Sequence, residues 1–68
     1  MIQAIAEDGY AIDAVNMQTW NRQHISPSLD NPATVLSSDD DGMALIEFNA
    51  DWYLVQSIDL EYPEKDIG

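Results

Sequence analysis

Residues 43–62, MALIEFNADWYLVQSIDLEY, decide the fold, because every second position is apolar along two stretches, 44–48 and, except at Gln56, 52–62. Such alternation is typical of half-buried β-strands. The pattern predicts one strand over residues 43–49 and a second over residues 52–62. We expect these strands to pair as an antiparallel hairpin.

The loop between the two strands sets which side chains face the core, because a one-residue slip turns every side chain to the opposite face. A two-residue loop at residues 50–51 would place Glu47 on the apolar face. A three-residue loop over residues 49–51 pairs Phe48 with Trp52 and collects the apolar residues on one side. The sequence therefore predicts the three-residue loop.

This register divides the final strand into two faces. Trp52, Leu54 and Leu60 would point into the core, and Trp20 is expected there as a second aromatic anchor. The opposite face would carry a mixture of acidic and apolar side chains: Glu47, Tyr53, Val55, Asp59 and Glu61.

A third strand is predicted immediately before the hairpin, over residues 33–38. The pair Asp41-Gly42 would join it to the next strand, since both residues tolerate positive φ. Ala33 and Val35 would then lie on the inner face. Further upstream, residues 26–32 (SPSLDNP) read as a loop, because they hold two prolines and residues that favour turns.

The N-terminal third is predicted to hold a short strand and a helix. Residues 1–7 read as a strand closed by a turn at residues 8–9, Asp-Gly. Residues 10–24, YAIDAVNMQTWNRQH, favour a helix, because Ile12, Val15, Thr19 and Trp20 fall near one helical stripe.

The expected architecture is therefore α+β: a small antiparallel sheet of three to four strands with one helix packed on one face. The 68 residues are expected to form a single domain over residues 1–68, with residues 63–68 a frayed tail.

Charge is the strongest functional signal. The chain contains thirteen Asp and Glu residues and only two Lys or Arg residues, Arg22 and Lys65, which gives a formal net charge of −11. A net charge of magnitude about 2–8 is enough for the solubility of a small domain. The additional negative charges repel one another in the compact state. This composition predicts a strongly cationic partner, such as a protein surface built to hold nucleic acid.

The predicted binding surface is an array of carboxylates. Alternate residues on a strand are about 6.6 Å apart, so Asp59 and Glu61 would present charges at nearly the spacing of successive phosphates. An ordinary solvated sheet face is the competing interpretation. The residues expected to bind the partner are Asp39, Asp40, Asp41, Glu47, Asp51, Tyr53, Asp59, Glu61 and Glu64.

No catalytic template fits the chain, so we expect a protein without enzymatic activity, cofactor or metal. His24 and Ser26 read as a helix end followed by a Ser-Pro loop. Aligning Gly42 with the turn glycine of an EF-hand calcium loop places Phe48 where a bidentate Glu is required. Weak Ca²⁺ or Mg²⁺ binding by the carboxylates at residues 39–41 is the alternative.

The location expected from the sequence is the cytoplasm. The first ten residues contain no basic leader, and no apolar run approaches the roughly 20 residues that cross a bilayer. The chain has no cysteine, which fits a reducing compartment. An anionic surface is also repelled by anionic lipids, so we expect no membrane partner.

In size, acidity and carboxylate array, the whole chain resembles the DNA-mimic inhibitors of phages and mobile elements. These include anti-CRISPR proteins and inhibitors of DNA glycosylases and restriction enzymes. The resemblance implies a non-enzymatic inhibitor in the host cytoplasm that occupies the nucleic-acid site of a defence complex, most specifically an anti-CRISPR protein that blocks a CRISPR effector. It implies no direct binding to nucleic acid.

Two alternatives belong to other classes. One is an acidic adaptor or immunity-type protein that binds a single basic partner without imitating nucleic acid. The other is a housekeeping domain of a halophile, in which surface acidity serves solubility in concentrated salt. The sequence leaves the oligomeric state open.

Overall fold

Seven strands make up nearly all the regular structure of residues 2–7 and 10–63, the part of the chain that this computed structural model describes. A 3₁₀ turn, Ser57–Asp59, separates the last two strands. The strands are β1 (Ile2–Ala6), β2 (Ile12–Asn16), β3 (Arg22–Ile25), β4 (Ala33–Ser38), β5 (Met43–Phe48), β6 (Asp51–Gln56) and β7 (Leu60–Glu61).

The strands form one sheet in the order β3-β2-β6-β5-β4-β1-β7, and every neighbouring pair is antiparallel. The sheet curls into a half-barrel, and the described residues contain no α-helix. The predicted α+β architecture, with a helix covering a smaller sheet, is therefore wrong. Because the sheet curls, it buries its own inner face. In the predicted architecture the helix would have covered that face.

The predicted helix over residues 10–24 is instead the β2–β3 hairpin. Ile12, Ala14 and Asn16 are buried, whereas Asp13 is exposed and Val15 is half-buried. This is the two-residue period of a strand. Over so short a segment Ile12 and Val15 also fit a helical stripe, so the sequence pattern alone did not separate the two structures.

Asn16 ends β2 and organises the turn that follows. Its Oδ1 accepts hydrogen bonds from the backbone amides of Gln18 (2.8 Å) and Thr19 (3.2 Å). Its backbone amide donates to the carbonyl of Asn21 (2.9 Å), and its carbonyl accepts from the amide of Trp20 (2.7 Å). These bonds close a tight turn after β2, so the chain reverses direction at the middle of the predicted helix.

The β5–β6 hairpin has a different register from the predicted one. Phe48 pairs with Asp51, and Glu47 pairs with Trp52. The connection is thus a two-residue turn, in which Asn49 (φ 55°) and Ala50 (φ 71°) both have positive φ. Positive φ at both central positions is the geometry of a type I′ turn. The predicted three-residue loop is wrong.

The changed register reverses the predicted faces of β6. Tyr53 and Val55 are buried in the core, and Trp52 is 51% exposed. Trp20 is exposed as well, so neither tryptophan anchors the core as predicted. Leu60 is buried as predicted, because the 3₁₀ turn after Gln56 changes the alternation before β7 begins.

Small residues on the inner face allow the sheet to curl tightly. Alanine contributes five of the buried core positions, where longer side chains would hold the two halves of the sheet apart. Larger side chains fill the remaining space. The core residues are Ala4, Ala6, Ile12, Ala14, Ile25, Ala33, Ala44, Ile46, Phe48, Tyr53, Val55 and Leu60, with Val35 packed against them.

Several predicted elements are confirmed. The strands over residues 1–7, 33–38 and 43–49 correspond to β1, β4 and β5. The turn at Asp41-Gly42 joins β4 to β5, with Gly42 at φ 88°. The predicted turn at residues 8–9 and most of the predicted tail lie outside the described residues. No helix in the described part of the chain is long and apolar enough to cross a membrane.

Candidate protein-binding face

The side of the sheet away from the core, here called the outer face, carries a row of apolar side chains across its centre. Val15 pairs directly with Leu54, and Leu54 pairs with Leu45 on its other side. All three are only half-buried. This apolar row crosses β2, β6 and β5 and leaves hydrophobic surface accessible at the middle of the outer face.

One group of acids lies beyond the row at the β4–β5 turn. Oδ1 of Asp39 accepts hydrogen bonds from the amides of Asp41 (2.9 Å) and Met43 (3.1 Å), so Asp39 shapes the turn. Asp40 and Asp41 are exposed. Of the predicted site residues in this turn, Asp39 therefore has a structural role, and the other two present their charge to solvent.

Asp59 is held near the same turn by the 3₁₀ segment to which it belongs. Ser57 donates two hydrogen bonds to the carbonyl oxygen of Gly42, from its amide (2.7 Å) and its hydroxyl (2.9 Å). The structure thus brings Asp59 to the end of the sheet that carries Asp40 and Asp41. We call Asp40, Asp41 and Asp59 the turn acids.

The second group of acids lies at the opposite end of β5. Glu47 is exposed on the outer face directly opposite Trp52, and Asp51 precedes Trp52 at the start of β6. From Met43, next to the turn acids, to Glu47 the strand advances about 13 Å at ~3.3 Å per residue. Carboxylates therefore lie on both sides of the apolar row along the strand direction.

The remaining predicted site residues do not join these groups. Glu61 pairs with Ile5 at the β1–β7 edge of the sheet. The predicted strand spacing between Asp59 and Glu61 is wrong, because Asp59 lies in the 3₁₀ turn. Tyr53 is only 6% exposed and belongs to the core, not to the outer face as predicted. Glu64 lies outside the described residues.

Few cations offset the acids. Within the described residues, the one ion pair joins His24 Nε2 to Asp13 Oδ1 at 3.0 Å. Arg22 is the only Lys or Arg in this part of the chain. It pairs across the strands with Val15 and lines a depression of about 220 Å³ on the outer face, together with Asp13 and Asp59.

Sequence reasoning missed the exposed tryptophans. Trp20 is 69% exposed and has φ 64°, a left-handed conformation that bulky residues rarely adopt. A hydrogen bond from the Met17 amide to the Trp52 carbonyl (2.9 Å) ties the β2–β3 turn to β6. The available signal for this hairpin was the pair Asn16 and Asn21, which favour turns and bracket the connection between two alternating stretches.

No metal centre is evident in residues 2–7 and 10–63, where no three potential metal ligands come together. The carboxylates at residues 39–41 instead belong to an exposed turn in which Asp39 bonds to the backbone. What this arrangement can do chemically is offer negative charge and apolar area to another molecule.

Comparisons with protein-family models, with curated proteins and with solved structures give no match to this chain.

Proposed function

We propose that this protein is a non-enzymatic inhibitor that binds the basic, nucleic-acid-binding surface of another protein through its outer face. The carrying observation is the apolar row with carboxylates on both of its sides along the strand direction. An interface with apolar residues in the middle and polar residues at its rim is typical of specific protein recognition. The class of target that we propose is a host defence complex, with a CRISPR effector as the specific candidate.

The net charge of −11 supports a basic target. All but Asp8, Glu64 and Asp66 of the acidic residues lie in the described part of the chain, where Asp13 alone forms an ion pair. Uncompensated charge on this scale opposes folding through self-repulsion and accelerates association with a surface of opposite sign. A cationic groove that holds phosphates is such a surface.

The arrangement of the acids differs from the single row of carboxylates by which the sequence predicted that phosphate charge would be imitated. A single strand bearing evenly spaced carboxylates is absent from the described residues, and the acids instead form two groups separated by the length of β5. The proposed complex therefore depends on two electrostatic contacts with an apolar contact between them. In this complex the protein excludes nucleic acid from the partner because it occupies the same groove.

The experiment that tests this proposal is capture from a nuclease-treated host lysate, followed by competition. The immobilised protein should retain a basic nucleic-acid-binding protein, and that protein's own DNA or RNA should release it. A charge-reversed variant, Asp41→Lys with Glu47→Lys, should retain much less. Retention of a protein that binds its nucleic acid simultaneously with this chain would contradict the proposal.

A matched control separates local from total charge. Glu7→Lys with Asp30→Lys changes the net charge by the same amount, at exposed positions away from the apolar row. The control should lose less binding than the variant with Asp41→Lys and Glu47→Lys. Equal losses would show that total charge, and not the outer face, determines binding.

A further inference from the structure

Trp52 forms one wall of an open depression at the end of the sheet. The depression has a volume of about 350 Å³ and is lined by Met17, Gln18, Ala50, Asp51 and Trp52. The hydrogen bond from the Met17 amide to the Trp52 carbonyl holds its two sides together. A half-exposed indole thus borders a concave site on the surface.

Two carboxylates lie near this indole: Glu47 on the same face of the sheet, and the half-buried Asp51 in the lining of the depression. Glu47 is opposite Trp52 in the neighbouring strand, and Asp51 is its chain neighbour and lines the depression. An indole attracts cations through its π face, and a carboxylate binds a guanidinium through two parallel hydrogen bonds. Arginine satisfies both requirements, because its head group is planar, whereas the lysine ammonium is a compact and strongly hydrated charge.

We propose that the depression beside Trp52 receives an arginine side chain of the partner, stacked on the indole and paired with Glu47 or Asp51. This inference rests on the proposed function, because that function supplies a basic partner. It adds a preference for arginine over lysine at one defined position. The side chains that favour a cation here are Trp52, Glu47 and Asp51. Arg22, the one Lys or Arg among the described residues, does not line the depression.

The test uses an oligoarginine and an oligolysine peptide of equal length as probes. The wild-type protein should bind oligoarginine about threefold or more tightly than oligolysine, in line with a surface cation–π contact. Trp52→Leu should reduce this ratio to near one and leave oligolysine affinity almost unchanged. Trp20→Leu is the matched control, because it removes an exposed tryptophan that does not line the depression, and it should keep the preference.

The same two variants give a spectroscopic readout, since the chain contains only two tryptophans. In Trp20→Leu the emission comes from Trp52 and should change on adding oligoarginine. In Trp52→Leu the emission comes from Trp20 and should stay constant. Thermal melts of both variants verify that each is folded.

The experiment distinguishes failure of the arginine site from failure of the proposed function. An arginine preference that survives Trp52→Leu, or that is missing from the wild-type protein, would overturn the arginine site and leave a basic partner in place. Failure of both peptides to bind the wild-type protein at low salt would overturn the proposed function as well.

Discussion

Glu47 of β5 and Trp52 of β6 lie directly opposite each other on the outer face of the sheet. This pairing fixes the register of the hairpin, and through it the side of the sheet to which every residue of β6 points. It places an indole beside a carboxylate on the surface and sends Tyr53 into the core. The proposed binding face depends on this one relationship.

The register is testable through stability. Tyr53→Ala should destabilise the domain by about 3–5 kcal/mol, because it removes a buried aromatic ring and leaves a cavity. In so small a domain this change is comparable with the whole free energy of unfolding. Trp52→Ala should have a much smaller effect, since Trp52 is 51% exposed. Thermal melts in which Trp52→Ala unfolds first would contradict the register.

The type I′ turn predicts a stabilising substitution. Ala50 has φ 71°, and a left-handed conformation costs an L-residue roughly 1–2 kcal/mol. Ala50→Gly creates the Asn-Gly pair that this turn favours, partly offset by the entropy of glycine in the unfolded chain. We expect a gain of about 0.5–1 kcal/mol, which raises Tm by about 2–8 °C.

Ala44→Gly is the control for that substitution. Ala44 is 1% exposed within β5, so glycine there removes a buried methyl group and adds backbone freedom. It should lower Tm. If Ala50→Gly also lowers Tm, residue 50 does not have positive φ and the turn differs from the one described.

The β4–β5 turn predicts different roles for neighbouring acids. Asp39→Ala removes the acceptor of two backbone amides, and we expect it to destabilise the domain by about 1 kcal/mol. Asp40→Ala should be neutral or slightly stabilising, because it relieves self-repulsion without breaking a bond. Denaturant unfolding of the two variants, which have equal net charge, measures the difference. Equal midpoints would contradict the structural role of Asp39.

Salt separates the proposed function from a halophilic adaptation. The domain should be folded in dilute buffer, and added KCl should raise Tm only modestly by screening repulsion. Complex formation should weaken steeply over the same range, because exposed charges are screened beyond about 8 Å at physiological ionic strength. A domain that folds only in molar KCl would favour the halophile interpretation.

The fold was predictable from the sequence where apolar alternation was unambiguous. The apolar residues Ala44, Ile46 and Phe48 occupy alternate positions of β5, and Gly42 marks the turn before it. β4 alternates less regularly, because its register shifts between Val35 and Ser37. The β2–β3 hairpin was not predictable by periodicity, because the spacing of Ile12 and Val15 fits either structure. The hydrogen bonds accepted by the Asn16 side chain close the turn between the two strands, a local effect that a periodic pattern does not record.

The register of β6 was predicted wrongly for two physical reasons. The predicted strand over residues 52–62 gave one parity a large apolar majority, but β6 ends at Gln56, and a shorter strand carries no such majority. Ala50 also concealed the turn, since alanine seldom adopts positive φ. Of the candidate site, the acids at Asp40, Asp41 and Glu47 were predictable as exposed, whereas the half-buried Asp51 and the exposed Trp52 were not.

The central claim is that this chain and nucleic acid occupy the same surface of a basic partner. The most direct measurement titrates labelled nucleic acid onto the captured partner, or onto a purified CRISPR effector, at increasing concentrations of this protein. The account predicts competitive inhibition, in which the apparent Kd for nucleic acid rises linearly with protein concentration, and the Asp41→Lys, Glu47→Lys variant inhibits far less. A ternary complex with unchanged nucleic-acid affinity would contradict it.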